Sequence, residues 1–461
     1  MARDVSKFGC EPIILVTFLG GRRGQCRTVT CRQLAANWKG PIMKNLYLWL
    51  LRHFIRPRRN TSNGDVQVAY LMSFADNDAG LIQELAQTYG DSFLLCHTPN
   101  MTEAAANLAR KLPAGQLVTA LYTPKELLLG DTFRKLKQAQ VVVVDNYFPE
   151  LAELAAPNRK IIQIWHATGA IKEFGWGDPK TANRSRGDQR RFQRVYDSFT
   201  HVVVGSEMMA QVFKDCYHLH DEVLCHLGAP RTDHFQPAMS QSLQQVDDQL
   251  TTQPAPQPIS QALPKLEGAI SDHRSATKGK RILYVPTYRD TIEEMRAVTD
   301  AAFKAFAQLA PDVTFVVKLH PHAEAAIPIP DRGNLQPAKG TLTELMVRCD
   351  ALITDYSSCV FDFMLMQPDA PYLFFCPDLA HYQRTTGLQA SFQKQMTPRI
   401  AETSEALQQL VETLVVAPPP VTSGQDQEEP FSPATIRDSW HRYNDGQAVS
   451  RVVKLIKSLT D

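Results

Sequence analysis

No apolar stretch in the 461-residue chain approaches 18 residues, so nothing in it reads as a transmembrane helix. Charge of one sign is lacking too. The chain has 49 Lys and Arg against 48 Asp and Glu, so any pull toward a charged surface must come from a local patch. That excludes a globally basic nucleic-acid binder, and no nucleic-acid partner is expected. The nine cysteines include no C-x-x-C pair. Cys96, Cys225, Cys359 and Cys376 sit in or beside apolar runs, which suits buried thiols in a reducing compartment. G-x-G-x-x-G and G-x-x-x-x-G-K-[ST] are both absent, which removes the main warrant for a nicotinamide dehydrogenase or a P-loop NTPase. No metal and no other cofactor is expected.

What is present is a regular alternation. From about residue 64, short β-rich runs such as "VQVAYLMSF", "FLLCHT", "VVVVDNY", "IIQIWHA" and "HVVVGS" alternate with helix-compatible segments. A second series follows in "RILYVPTYR", "TFVVKLHPH", "ALITDYS" and "APYLFFCPD". Continuous apolar strands between helices imply parallel sheets covered on both faces. Between the two series lies a Gln-, Ser- and Pro-rich stretch of residues 236–280, which reads as a linker or insertion. The expected organisation is an extension over 1–59, a Rossmann-like domain over 60–235, the linker, a second Rossmann-like domain over 281–434, and a C-terminal helix over 435–461. The fold class is α/β, with two doubly wound domains facing a central cleft. Met43 looks like a more natural start than Met1, so residues 1–42 are expected to be peripheral.

Polar residues gather where one apolar run after another ends: "WHATGAIK", "GAPRTD", "VPTYRD", "KLHPH" and "TDYSSCVFDF". In open α/β sheets, ligands bind at these strand ends. His166 follows such a run and precedes the small residues Ala167, Thr168, Gly169 and Ala170. It reads either as a core histidine satisfied by a carbonyl or as a general base. Ser357 and Ser358 open a helix, either as simple caps or as an anion site built with free N–H groups. Asp362, one turn on, orients a neighbour, takes a ligand hydroxyl, or is merely a surface or capping acid. Lys318 and His320 lie two apart, so on a strand both side chains point to one side, and they read as a phosphate-facing or a solvent-facing pair. Arg231 offers a planar fork suited to phosphate.

In this chain order, the five motifs resemble those of the CDP-glycerol glycerophosphotransferase family of teichoic acid biosynthesis. The resemblance spans roughly residues 60–400. It implies a GT-B-like fold and transfer of glycerol phosphate or ribitol phosphate from CDP-glycerol or CDP-ribitol, releasing CMP. It also implies catalytic roles for His166, as base, and for His320. Donor contacts would come from Ala167, Thr168, Gly169, Ala170, Arg231, Pro286, Thr287, Lys318, Leu319, Ser357, Ser358 and Asp362. Ala167 and the pair Gly169–Ala170 depart from the family pattern, as does Thr232.

The acceptor implied is an undecaprenyl-linked saccharide or a teichoic acid chain. Residues 38–59 combine aromatic and leucine side chains with six Lys or Arg. They are expected either to dock on an anionic membrane at its cytoplasmic face, making the enzyme peripheral, or to pack on the protein. A GT-B sugar-nucleotide glycosyltransferase or epimerase is the rival enzyme reading, and a degenerate nucleotide-binding scaffold the non-enzymatic one.

Overall fold

Four consecutive valines, Val141–Val144, are fully buried on both faces of their strand. That is the environment of a central parallel strand. In the computed structural model, which describes residues 41–53, 55, 66–77, 79–113, 115–235, 279–309, 312–330, 333–417 and 432–461, it is β4 of a seven-stranded sheet. The sheet comprises β1 (Val68–Met72), β2 (Phe93–His97), β3 (Val118–Leu121), β4, β5 (Lys160–Gln163), β6 (His201–Val203) and β7 (Leu224–Cys225). The strands run in the order β3-β2-β1-β4-β5-β6-β7, and all neighbouring pairs are parallel. The order reverses between β1 and β4, which makes that point the crevice for a ligand.

The second series builds a six-stranded parallel sheet from β8 (Arg281–Val285), β9 (Thr314–Val317), β10 (Leu335–Pro337), β11 (Ala351–Thr354), β12 (Tyr372–Phe375) and β13 (Ile400–Ala401). Its order is β10-β9-β8-β11-β12-β13, with the reversal between β8 and β11. The chain is therefore a pair of doubly wound α/β sheets.

One finding differs from the sequence reading. The C-terminal region is not one helix but two, Pro433–His441 and Ala448–Thr460. Between them lies Asn444-Asp445-Gly446, with Gly446 at φ 82°, and these are residues that favour a turn over a continuing helix. The second helix returns to the first sheet, where Val449, Val452, Val453 and Ile456 join a core with Val68, Tyr70 and Val143. Asp233 holds its start by accepting the Ala448 and Val449 N–H groups at 3.1 and 2.8 Å.

The basic-aromatic segment contains a helix, Pro41–His53, that packs on the first half. Leu48, Leu51 and nearby Ile55 are buried. Tyr47 donates to buried Glu150 at 2.9 Å, and Lys137 donates to the carbonyls of Leu51, Arg52 and Ile55 at the helix end. Its other face leaves Trp49 half exposed, with Arg52 exposed one turn on. No described helix is long and apolar enough to cross a membrane. Residues 1–40 of the expected extension and residues 236–278 of the expected linker lie outside the described residues.

Candidate active site

At the reversal of the first sheet, Asp145 follows directly on the last valine of β4 and is fully buried. Its carboxylate accepts Ser73 N–H, Ser73 Oγ–H (2.7 Å) and Phe74 N–H (3.1 Å) from the loop after β1. Burial pushes its pKa up to about 6 against those bonds. One strand over, β5 runs into Trp165, which holds a left-handed backbone at φ 60°. Such a conformation costs a non-glycine residue about 1–3 kcal/mol and survives only where the surroundings impose it. Here Gln163 Oε1 accepts the Trp165 N–H at 2.8 Å, Asn77 donates to its carbonyl, and its ring packs on Phe174 and Phe213.

The kink brings His166 back over the sheet end, where its ring stacks on Phe74 with centroids 4.2 Å apart. His166 Nδ1 lies 3.1 Å from the Asp145 carbonyl oxygen. A carbonyl can only accept, so Nδ1 carries the proton and Nε2 keeps a lone pair. Burial, with a smaller push from the Arg231 charge, brings the His166 pKa down to about 4. The side chain is thus a neutral imidazole at ordinary pH. The carbonyl bond of the bland core reading is present, and it fixes the tautomer that a base requires.

At the reversal of the second sheet, buried Arg289 gathers three neighbouring segments. It donates to Asp378 at 2.8 Å and to the Thr287 carbonyl at 2.6 Å, and it lies 2.9 Å from buried Asp355. Its guanidinium sits over the rings of Tyr356 and Tyr382. Asp355 accepts the N–H groups of Thr287 and Tyr356, so the loop after β8 and the turn after β11 are locked together.

The helix Cys359–Met366 starts from that turn. Ser358 is its N-cap by position, but its hydroxyl makes no cap hydrogen bond. Ser357 Oγ accepts the Cys359 N–H at 3.4 Å. Lys318 and His320 do not lie on a strand as expected, because β9 stops at Val317. His320 instead caps the short helix Pro321–Glu324, its Nδ1 accepting the His322 N–H at 3.3 Å. That leaves the His320 proton on Nε2. Burial lowers its pKa, helped by His322. The two histidines therefore hold opposite tautomers.

One cavity of about 620 Å³ lies between the halves. It is lined by His166, Ala167, Gly169 and Ala170 from the first half, and by Pro286, Thr287, Lys318, Leu319, His320, Ser357 and Ser358 from the second. Thr168, Arg231 and Asp362 are not in its wall. They form a bridge behind it: Asp362 accepts from Thr168 Oγ1 and, at 2.8 Å, from Arg231, which also donates to the His166 carbonyl. Gly169 lies so close to the Phe361 ring that a Cβ there would collide with it.

Of the residues that shape the cavity, sequence reading passed over Asp145, Gln163, Trp165 and Arg289. An acid placed directly after four valines was a usable signal for Asp145. The partners of Gln163 and Trp165, and the packing around Arg289, are set by tertiary structure.

The comparisons bear on what such a cavity serves. The profile described as CDP-Glycerol:Poly(glycerophosphate) glycerophosphotransferase matches residues 129–259 and 257–458. The chain belongs to this family. A teichoic acid glycerol-phosphate primase of Bacillus spizizenii is 32% identical over 326 residues, 70% of this chain and 77% of the relative. One from Bacillus subtilis is 27% identical over 431 residues, 91% of this chain and 98% of the relative. Among solved structures, the wall teichoic acid polymerase TagF superposes with a TM-score of 0.59 at 18% identity, covering 93% of this chain and 97% of that one. A putative UDP-N-acetylglucosamine 2-epimerase of Listeria monocytogenes reaches 0.51 at 11% identity. These two likenesses speak to the fold, which is GT-B-like. The glycerophosphotransferase family membership makes the chain a transferase of the CDP-glycerol type and sets aside the epimerase reading.

Proposed function

We propose that this glycerophosphotransferase moves one glycerol phosphate unit from CDP-glycerol to an undecaprenyl-linked saccharide and releases CMP. The observation that carries the reading is the pair of opposite tautomers in one cavity. His166 offers a lone pair on Nε2, and His320 offers a proton on Nε2. The acceptor hydroxyl gives its proton to His166 Nε2 as its oxygen attacks the phosphorus bearing glycerol. The bond from that phosphorus to the CMP oxygen breaks, and the electron pair leaves with CMP. His320 Nε2–H, the Lys318 ammonium and the turn at Ser357 and Ser358 offset the charge gathered on the phosphate oxygens. Thr168, Arg231 and Asp362 hold the His166 loop against the second half.

Relatives named glycerol-phosphate primases match at 27–32% identity, and those named polymerases at 22–24%. This supports addition of a single unit over polymerisation. A ribitol-phosphate primase also matches at 27%, over 285 residues, so the preference for glycerol rests on the longer matches to the glycerol primases, 326 to 431 residues. The helix Pro41–His53 supports a peripheral position on the cytoplasmic face of the membrane. Its exposed Leu46 and Trp49 join Leu129, 81% exposed on the adjacent helix Pro124–Leu129. Arg52, exposed one turn beyond Trp49, suits anionic lipid.

The test is mass analysis of products from a defined lipid-linked disaccharide incubated with CDP-glycerol or CDP-ribitol. A product heavier by one glycerol phosphate is expected. A ladder of units, or a ribitol phosphate product, would contradict the reading.

A further inference from the structure

Lys172 is the last residue of the "WHATGAIK" motif, and no role above uses it. It belongs to the first half, yet it is stitched to the second. Lys172 bridges to Leu388, Glu173 N–H donates to the Gly387 carbonyl at 3.1 Å, and Gln389 N–H donates to the Ile171 carbonyl at 2.8 Å. Gln389 Nε2 adds a bond to the Lys172 carbonyl. The backbone is therefore fixed on both sides of the lysine. Lys172 lines the cavity together with His166 and Ser357.

The groups of the second half that face it are Asp355, Arg289 and the Tyr382 ring, whose centroid is 5.9 Å from the ammonium. Asp355 is already engaged by Arg289 and by two backbone N–H groups. The Lys172 ammonium makes no hydrogen bond or ion pair among the described residues. A cation in that position has three donors to offer and no protein acceptor to take them. Burial lowers its pKa, as expected for a charge without a compensating partner. What completes it is an anion in the cavity.

We propose that Lys172 is a ligand to the phosphoryl group that the enzyme transfers. The inference rests on the CDP-glycerol reading above. The loop from His166 to Lys172 presents the base, and a base must reach the hydroxyl that attacks the phosphorus, on the side opposite the departing CMP. The lysine on the same loop therefore approaches the transferred phosphoryl group from that side and not the phosphate of CMP. Because the loop is tied to residues 387–389, a bound donor also draws the two halves onto one ligand.

The test compares wild type, Lys172→Met and Lys172→Arg by calorimetric titration with CDP-glycerol and with CMP. Losing a charged hydrogen-bond donor should weaken CDP-glycerol binding about 10- to 100-fold in Lys172→Met. CMP affinity should stay within about twofold, and Lys172→Arg should recover most of the loss. A second readout is proton uptake, measured in buffers of different ionisation enthalpy on the alkaline side. The anionic donor restores the lowered lysine pKa, so wild type should take up protons on binding CDP-glycerol and Lys172→Met should not. A purely structural role would leave that proton count unchanged. Thermal unfolding of the variants separates misfolding from lost contact. Unchanged CDP-glycerol affinity in a folded Lys172→Met protein, or an equal loss for CMP, would overturn the assignment. If wild type itself bound no CDP-glycerol, the parent reading would fall first.

Discussion

In the proposed mechanism His166 is the base, because two neighbours settle its chemistry. The Asp145 carbonyl takes the proton of Nδ1, and burial against Phe74 disfavours the charged ring. The sign of the pH effect follows. With its pKa pushed down to about 4, the imidazole stays neutral as pH falls through 6.5 and gains a proton only near 4. The ring-proton NMR resonances of His166 should therefore stay unshifted between pH 7 and 5.5, where an unperturbed histidine would lose about tenfold of its basic form. A titration centred near pH 6.5 would show that the ring is not held in the buried, carbonyl-bound state. Gly169 makes a second residue-scale case. Its bare Cα faces the fully buried Phe361 ring, so Gly169→Ala forces that ring or the catalytic loop to move. Overpacking of this kind costs about 1–3 kcal/mol. A lowered melting temperature together with reduced turnover should be seen, and wild-type values for both would show that the contact is dispensable.

Among the elements, the helix Pro41–His53 carries two faces with different tasks. Tyr47, Leu48 and Leu51 anchor it, so deleting it would uncover core and confuse binding with unfolding. Substitution on the exposed face is the cleaner probe. Trp49→Ser with Leu129→Ser should lower sedimentation with anionic vesicles while leaving stability and CDP-glycerol affinity near wild type. Raising salt should weaken wild-type binding without abolishing it, since the apolar part is insensitive to ionic strength. Vesicle binding unchanged in the double variant would leave the helix a packed element only. The same helix shows what the amino-acid sequence discloses and what it hides. Its basic, aromatic and leucine content was visible, but the choice between lipid and protein was not. That choice rests on Glu150 and Lys137, about 100 residues away in the chain. Leu129 likewise gains meaning only from the contact of its helix with Pro41–His53. Strand ends were more legible. Continuous apolar runs announced both parallel sheets, and polar residues after them marked the cavity wall. The bridging role of Asp362 was open among several, because neither Thr168 nor Arg231 is near it in sequence.

For the whole molecule, the proposed reaction depends on a seam. The proposed base comes from the sheet built by residues 68–225 and the proposed phosphate-side groups from the sheet built by residues 281–401. Arg231, Asp362 and Thr168 tie the two together directly behind His166, and the C-terminal helix Ala448–Thr460 crosses back to close the first half. Each half alone presents an incomplete wall. The account predicts that removing the base leaves the donor site standing, since the groups assigned to the donor phosphates do not lean on the imidazole. The most direct measurement is CMP release by His166→Ala with CDP-glycerol and a lipid-linked acceptor, alongside CDP-glycerol affinity of the same protein. Turnover should fall by about 10²–10⁴-fold while affinity stays within a few-fold of wild type. Turnover near the wild-type rate in that variant would contradict the assignment of His166 as the base on which the mechanism is built.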